Sequence, residues 1–355
     1  MKASGVKARH RVGRLGAILL LPLSVLPLVG AIPFVVSAYR SYSRYYQSPP
    51  LPAPANVLSA AQRREFKPLP PFTGAIPVLT YHGINSLRDG YSISQRTFAG
   101  QMQMLKLAGF HAISIAQYGS FQDGDSSGLP VRPILLTFDD GRLDSYRGAA
   151  NVLAREGFKA TMFVITGPMA DGNPDYLDWT ELHRMRNSGR WDVQPLAYRG
   201  HVQITVDPHG DQRPFYASRR WLRSTGKETF GDYQRRVATD LFTLADQFRT
   251  QAIPVYSIAV PFGDYGQENV VNDPRIVPFI LGLMRAQFGT VFVQDDFNNA
   301  SYSTPTGGPQ ERWVAHSWTT PGQLYRWLRA YDPALPRGAR ATPSPTASLI
   351  HNRTR

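Results

Sequence analysis

Two adjacent carboxylates, Asp139 and Asp140, followed by Gly141, close a short apolar run from Ile134 to Phe138. An unbroken apolar run of this length reads as a buried parallel strand, and helix-forming residues resume from Arg142. In α/β sheets and barrels chemistry gathers at the carboxyl ends of strands, so the pair stands where catalytic groups are expected. A single carboxylate there would also serve as the cap of a helix beginning near Leu143. Two in succession with glycine behind them favour function. Carboxylates from one strand end and histidines from others can bind a divalent metal, which polarises a carbonyl and acidifies a water. A second carboxylate, not bound to the metal, would take the proton of that water. Consecutive strand residues point in different directions, so Asp139 and Asp140 can divide these roles. Glycoside hydrolysis also uses two carboxylates, but they must flank the sugar bond at about 5 Å or more, which adjacent residues rarely do.

Other side chains near strand ends are candidates on the same footing. His82 follows a strand and precedes a glycine, so it is expected to face the site, as a general acid, a substrate contact or a hydrogen-bonded structural group. Tyr81, Phe262, Tyr265 and Trp191 could stack on a sugar ring, although aromatics at such positions also serve cores. Arg312, at the start of the last expected strand, is placed to pair with Asp139 and orient it. His111 and His183 carry no such signal.

The elements that must hold these residues alternate regularly. Strands are expected over 76–81, 110–115, 134–138, 159–166, 191–195, 255–260, 290–294 and 312–316, with helices over 97–107, 143–156, 178–188, 230–250, 278–288 and 321–330. That alternation implies parallel pairing with crossover helices, and about seven strand-helix steps favour a barrel over an open sheet. The 355 residues with 42% hydrophobic content suffice for one large domain with appendages.

Those appendages carry much of the charge. The formal net charge is +13, with Lys2, Lys7, Arg9, Arg11 and Arg14 at the start and Arg337, Arg340, Arg353 and Arg355 at the end. Residues 1–14 read as a basic cytoplasmic start, and 15–39, without a formal charge, as an uncleaved transmembrane signal anchor, since about 20 residues suffice to cross a bilayer. Cleavage after Ala38 is the alternative and would release a secreted protein. Residues 40–72, rich in proline, read as a spacer; 73–331 as the catalytic domain; 332–355 as a disordered tail. The folded part is thereby expected outside the cytoplasm on a single-pass anchor in the cell membrane. No basic helix interleaved with aromatics supports nucleic acid as a partner. The absence of cysteine excludes disulfides, thiolate metal sites and cysteine nucleophiles.

Four segments, Thr137-Phe-Asp-Asp-Gly141, Pro77-Val-Leu-Thr-Tyr-His-Gly83, Gly157-Phe-Lys-Ala-Thr-Met-Phe163 and Pro261-Phe-Gly-Asp-Tyr265, together resemble the polysaccharide deacetylases, carbohydrate esterases of family four. The likeness spans roughly residues 76–330. Its Tyr-His-Gly opening and Pro-Phe-Gly-Asp-Tyr loop look like the extracytoplasmic branch acting on exopolysaccharides such as poly-N-acetylglucosamine. The resemblance implies a distorted (β/α) barrel of about seven strands, an acetylated polysaccharide as substrate, Asp139 as general base and Asp140 as ligand of a metal, usually zinc. It places Pro261, Phe262, Gly263, Asp264 and Tyr265 with Tyr81 at the substrate, and His316 where the family often keeps a catalytic histidine. One departure stands out. The family supplies two further ligands as a His-x-x-x-His segment; here His201 falls on the second and Ala197 on the first. His209, in Asp207-Pro-His-Gly-Asp211, could complete the set if its loop folds back. Two readings therefore stand: a metal-dependent hydrolase removing N-acetyl or O-acetyl groups from a surface glycan, and a weakened relative that binds glycan without cleaving it.

Overall fold

The structure, a computed structural model, describes residues 32–33, 35–36, 49–87, 89–267, 271–294 and 302–335. Seven parallel strands form its centre, hydrogen-bonded in the order β10-β11-β12-β1-β3-β4-β5. In chain order they are β1 (Val78–Tyr81), β3 (Pro133–Phe138), β4 (Ala160–Ile165), β5 (Trp191–Ala197), β10 (Ser257–Ala259), β11 (Thr290–Gln294) and β12 (Gln310–Val314). A two-residue strand, β2 (His111–Ala112), pairs with the start of β3. Every residue of β1, β3 and β4 is buried, the signature of strands covered on both faces.

One side chain spans the seam of the nearly closed barrel. The Gln194 Oε1 on β5 accepts from the backbone N–H groups of Tyr256 and Ser257, at 2.8 and 3.0 Å, where β10 begins. Its amide nitrogen donates to the carbonyls of Val193 and Pro254. Gln194 thus substitutes for a missing strand-to-strand ladder between the two edge strands. The expected α/β barrel of about seven strands is the observed architecture.

The outer helices follow their local signals. α1 (Ala60–Glu65), α2 (Gln95–Leu107), α3 (Ile115–Gln122), α4 (Leu143–Glu156), α5 (Thr166–Ala170), α6 (Trp179–Asn187), α7 (Phe230–Thr250), α8 (Ile276–Phe288) and α9 (Pro321–Tyr331) succeed one another around the strands. Helix α4 ends at Gly157, whose φ of 82° supplies the left-handed cap. One expected strand is shorter than its range: of 110–115 only His111–Ala112 pairs, because Ser114 and Gln117 form a reciprocal capping box that starts α3 at Ile115. Two hairpins, β6 (Gln203–Thr205) with β7 (Gln212–Pro214) and β8 (Trp221–Leu222) with β9 (Gly226–Lys227), fill the stretch between β5 and α7, where no element was expected. Strand β5 continues past Pro195 to Ala197, with a register shift opposite Val164 and Ile165, an irregularity that accommodates a residue lacking an N–H.

The spacer expected over 40–72 is corrected from residue 50 onward. Leu51 donates to the Arg147 carbonyl, Leu58 and Phe66 are buried in the core, and Tyr325 on α9 exchanges hydrogen bonds with the backbone of Lys67. At the other end Asp332, expected in a disordered tail, is buried against Arg132 at 3.1 Å. Residues 1–14, nearly all of the expected anchor 15–39, and 336–355 lie outside the described residues. Among the described residues no helix is long and apolar enough to cross a membrane.

Because two backbone donors depend on Gln194, Gln194→Leu is expected to lower the unfolding free energy measured in urea by about 2–5 kcal/mol. A loss within about 0.5 kcal/mol, the scale of a neutral surface change, would mean that the β5–β10 seam is held by other contacts.

Candidate active site

At the carboxyl end of β3 the two aspartates part company. The Asp139 N–H donates to the Tyr81 carbonyl at 2.9 Å, continuing the β1–β3 ladder, and its side chain turns inward. There Arg312 meets it in a two-pronged contact, Nη1 to Oδ1 at 2.7 Å and Nη2 to Oδ2 at 2.8 Å. Arg312 is fully buried and Asp139 is 3% exposed. The guanidinium also reaches the Thr137 hydroxyl and lies over the rings of Phe163 and Phe292. A charge-assisted fork of this kind fixes a carboxylate plane in one orientation.

Asp140 adopts φ +71° and Gly141 φ +72°. A left-handed conformation costs a non-glycine residue on the order of 1 kcal/mol, and such strain clusters at functional turns. Glycine is required at 141, since a Cβ would press on Val164 at 3.0 Å. Asp140 does not cap the following helix: the residue before α4 is Arg142, without a side-chain cap bond. Instead its carboxylate faces His201, Oδ1 to Nε2 at 3.8 Å, with both side chains partly open to solvent.

His201 stacks on Phe262, ring centres 4.3 Å apart and planes 19° from parallel. Phe262 itself has φ +60°, in the tight turn Pro261–Gly263 that follows β10. Gly263 packs so closely on Gln294 that a Cβ would stand 2.3 Å from its side chain. Within that loop Phe262 alone meets His201. Pro261 is buried, Asp264 turns back to accept from the Gly266 N–H, and Tyr265 packs against the core. Burial raises the Asp264 carboxyl above the usual carboxylate range.

Beside His201 opens a cleft of about 160 Å³, lined among others by Ile165, Tyr176, Tyr198 and Arg199. Burial, and next the charge of Asp140, push the Tyr176 phenol up. On the β1–β12 side a row of rings runs outward: His82 to Tyr91 at 5.3 Å, Tyr91 to His316 at 5.6 Å, and His316 flat on Trp318 at 4.6 Å. His82 Nδ1 is buried without a hydrogen-bond partner, and its carbonyl accepts from the Ser145 hydroxyl. Tyr91 and Trp318 carried no signal in the sequence because they sit in loops; only the strand order brings them beside the two histidines.

Three expectations are corrected. Tyr81 does not reach substrate: it is fully buried between Phe98 and Phe138, and burial raises its phenol strongly. Trp191 is likewise core, packed on Phe138 and Tyr146. His209 does not fold back. It lies exposed at the tip of the β6–β7 hairpin, in a turn whose backbone N–H groups from 209 to 211 all donate to Asp207.

For a divalent cation the converging donors are therefore Asp140 and His201. Among the described residues no cluster of three His, Cys, Asp or Glu could hold a metal ion. Ala197, buried at the end of β5, offers only a methyl group. Two donors do not fit the three protein ligands of a hydrolytic zinc site.

The polysaccharide deacetylase family profile matches residues 127–229. The protein YxkH of Bacillus subtilis, named for the polysaccharide deacetylases, is 30% identical over 114 residues, covering 32% of this chain and 39% of that protein. The poly-beta-1,6-N-acetyl-D-glucosamine N-deacetylase of Staphylococcus epidermidis is 24% identical over 243 residues, 63% of this chain and 75% of that protein. The solved structure of a de-N-acetylase from Aggregatibacter actinomycetemcomitans superposes with a TM-score of 0.60 at 17% identity, over 71% of this chain and 99% of that one. That likeness concerns the fold.

Replacing Arg312 by Met strands the Asp139 carboxylate in the interior, and a stability loss of about 3–5 kcal/mol in urea unfolding is expected. Asp140→Asn, at a partly open site and in a conformation asparagine tolerates, is expected to change stability by less than about 1 kcal/mol. Equal losses for the two variants would contradict the contrast between a carboxylate held inward by Arg312 and one open to solvent.

Proposed function

We propose that this chain, which carries a polysaccharide deacetylase domain, hydrolyses the acetamide groups of an extracellular polysaccharide such as a β-1,6-linked N-acetylglucosamine polymer. The observation that carries this reading is the pairing of a rigidly held carboxylate, Asp139, with a solvent-facing carboxylate and imidazole, Asp140 and His201, at one barrel mouth. Hydrolysis needs a group that takes a proton from water and one that returns a proton to the leaving amine. Asp139 is the base in this reading, its plane set by Arg312. His82, which directly follows β1 and meets the exposed ring of Tyr91, is the donor toward the amine. Phe262 and the row from Tyr91 to Trp318 offer ring faces to sugar.

A divalent cation, zinc by the family's chemistry, would be held by Asp140 and His201 alone and would supply a Lewis acid to the acetamide carbonyl. The glycan-binding alternative is favoured by one observation, the methyl group of Ala197 where a third donor would complete the set. The apolar stretch 15–39 behind a basic start supports a single-pass anchor with the domain outside the cytoplasm.

The decisive measurement is acetate release from N-acetylated β-1,6-glucosamine oligosaccharides, with zinc added and after chelation. Release with added zinc, reduced about 100-fold or more in Asp139→Asn, is expected. Ala197→His is expected to retain zinc through dialysis that strips the native protein. Oligosaccharide binding without acetate release under any added divalent cation would replace the hydrolase by the binder.

A further inference from the structure

The strand that leads toward His201 ends at Ala197, and four residues of chain decide where the imidazole arrives. Those four are held from behind by a carboxylate that no motif marks. Asp240, in the middle of α7, is 6% exposed. Its Oδ1 accepts from the Arg199 N–H at 2.8 Å and its Oδ2 from the Tyr198 N–H at 3.2 Å. A third donor, the Tyr216 hydroxyl, reaches Oδ2 at 2.5 Å. Burial and then the charge of Asp240 raise the Tyr216 phenol well above its usual value, so the hydroxyl keeps its proton to donate. Tyr216 is fixed in turn, its carbonyl accepting from the Tyr233 hydroxyl on α7 at 2.6 Å.

The same segment is gripped sterically. A Cβ on Gly200, one residue before His201, would stand 2.5 Å from the Tyr216 ring. On the opposite side the Gly167 N–H donates to the Tyr198 carbonyl at 2.8 Å, and a Cβ on Gly167 would stand 2.5 Å from that oxygen. A carboxylate buried on a helix is costly unless its oxygens are satisfied, and here all the donors that satisfy it belong to the His201 segment or to the tyrosine packed on it.

We propose that Asp240 and Tyr216 form a latch that sets the backbone of 198–201, so that His201 meets Asp140 and stacks on Phe262. Asp240 is on this view a positioning residue, acting through His201, and its effect on turnover rests on the deacetylase reading. A latch is needed because the contacts on the far side of the imidazole, a carboxylate at 3.8 Å and a partly exposed phenyl ring, hold it loosely. Loss of the carboxylate would leave two backbone N–H groups without an acceptor and free the segment to shift. Displacements of about 1 Å at a catalytic group cost on the order of 100-fold in rate.

The test uses the full-length protein carrying ¹³C-labelled histidine, the His201 signal being the one of eight that is lost in H201A. Stacking on Phe262 displaces that signal upfield, and F262A supplies the unstacked reference. In D240N, where one amide edge presents a donor to a backbone donor, the His201 signal is expected to move most of the way to the reference. The signals of histidines remote from the cleft are expected to stay in place. With zinc added, kcat is expected to fall about 100-fold with KM little changed. A folded D240N with lowered thermal stability and an unmoved His201 signal would reduce Asp240 to a structural residue and overturn the proposal. Should D240N fail to fold, G200A carries the test: the added methyl meets Tyr216, and an unmoved His201 signal there overturns the latch equally. The spectrum needs no turnover, so a native protein that releases no acetate would sink the hydrolase while leaving this inference to be decided by the His201 signal alone.

Discussion

The buried ion pair between Arg312 and Asp139 is the constraint around which the barrel mouth is arranged. A guanidinium with no exposed surface is tolerated only where its charge is met at close range and its remaining donors find oxygens. Here the two carboxylate oxygens of Asp139, the Thr137 hydroxyl and the faces of two phenylalanines meet that demand. The pair joins β12 to the end of β3 across β1, which lies between them in the sheet. Strand register, side-chain direction and charge balance are thus settled together.

Fixing Asp139 inward has a consequence for its neighbour. With Asp139 still in the ladder and its carboxylate committed, the chain must turn at once to aim Asp140 at the cleft. Two successive left-handed residues, Asp140 and Gly141, accomplish this. The second non-glycine residue in such a conformation at the mouth is Phe262, whose ring covers His201. Strain on one strand end therefore presents the carboxylate, and strain on another presents the ring that confines the imidazole. Both are borne by a barrel whose interior is fully packed and whose seam is closed by Gln194. The chemistry sits on rigid strands, while the polar connections around it, including the hairpins after β5, remain at the surface.

The site is also notable for the donors that stop short. Asp140 and His201 converge as a carboxylate and an imidazole should around a cation, yet the end of β5 contributes a methyl group, and the nearest further histidine in the chain lies at an exposed hairpin tip. The side chains that could hold an ion and the ring faces along the cleft are thereby set separately in this fold. Ring faces and cleft depend on the barrel, whereas the ion depends on individual side chains.

Much of this was legible in the residues themselves. Continuous apolar runs marked β3 and β4, helical patterns marked α4 and α7 within a residue or two, and the alternation of the two kinds implied the parallel barrel, because hydrophobic period is a local property of the chain. The doubled aspartate marked the carboxyl end of β3 for the same reason. What the residues could not reveal is which of several similar side chains reach one another. Tyr81 and Tyr91 look equally able to stack on sugar, but one points into the core of its strand and the other sits in a loop above it. Arg312 was only a candidate partner for Asp139 until strand order brought β12 beside β1. His209 looked like a spare ligand until a hairpin carried it away. Asp240 lay unremarked in a helix whose pattern marked it merely as one more polar position. Composition and periodicity act over a few residues and so determined the elements, while contacts between residues tens to hundreds apart were decided by the closure of the barrel alone.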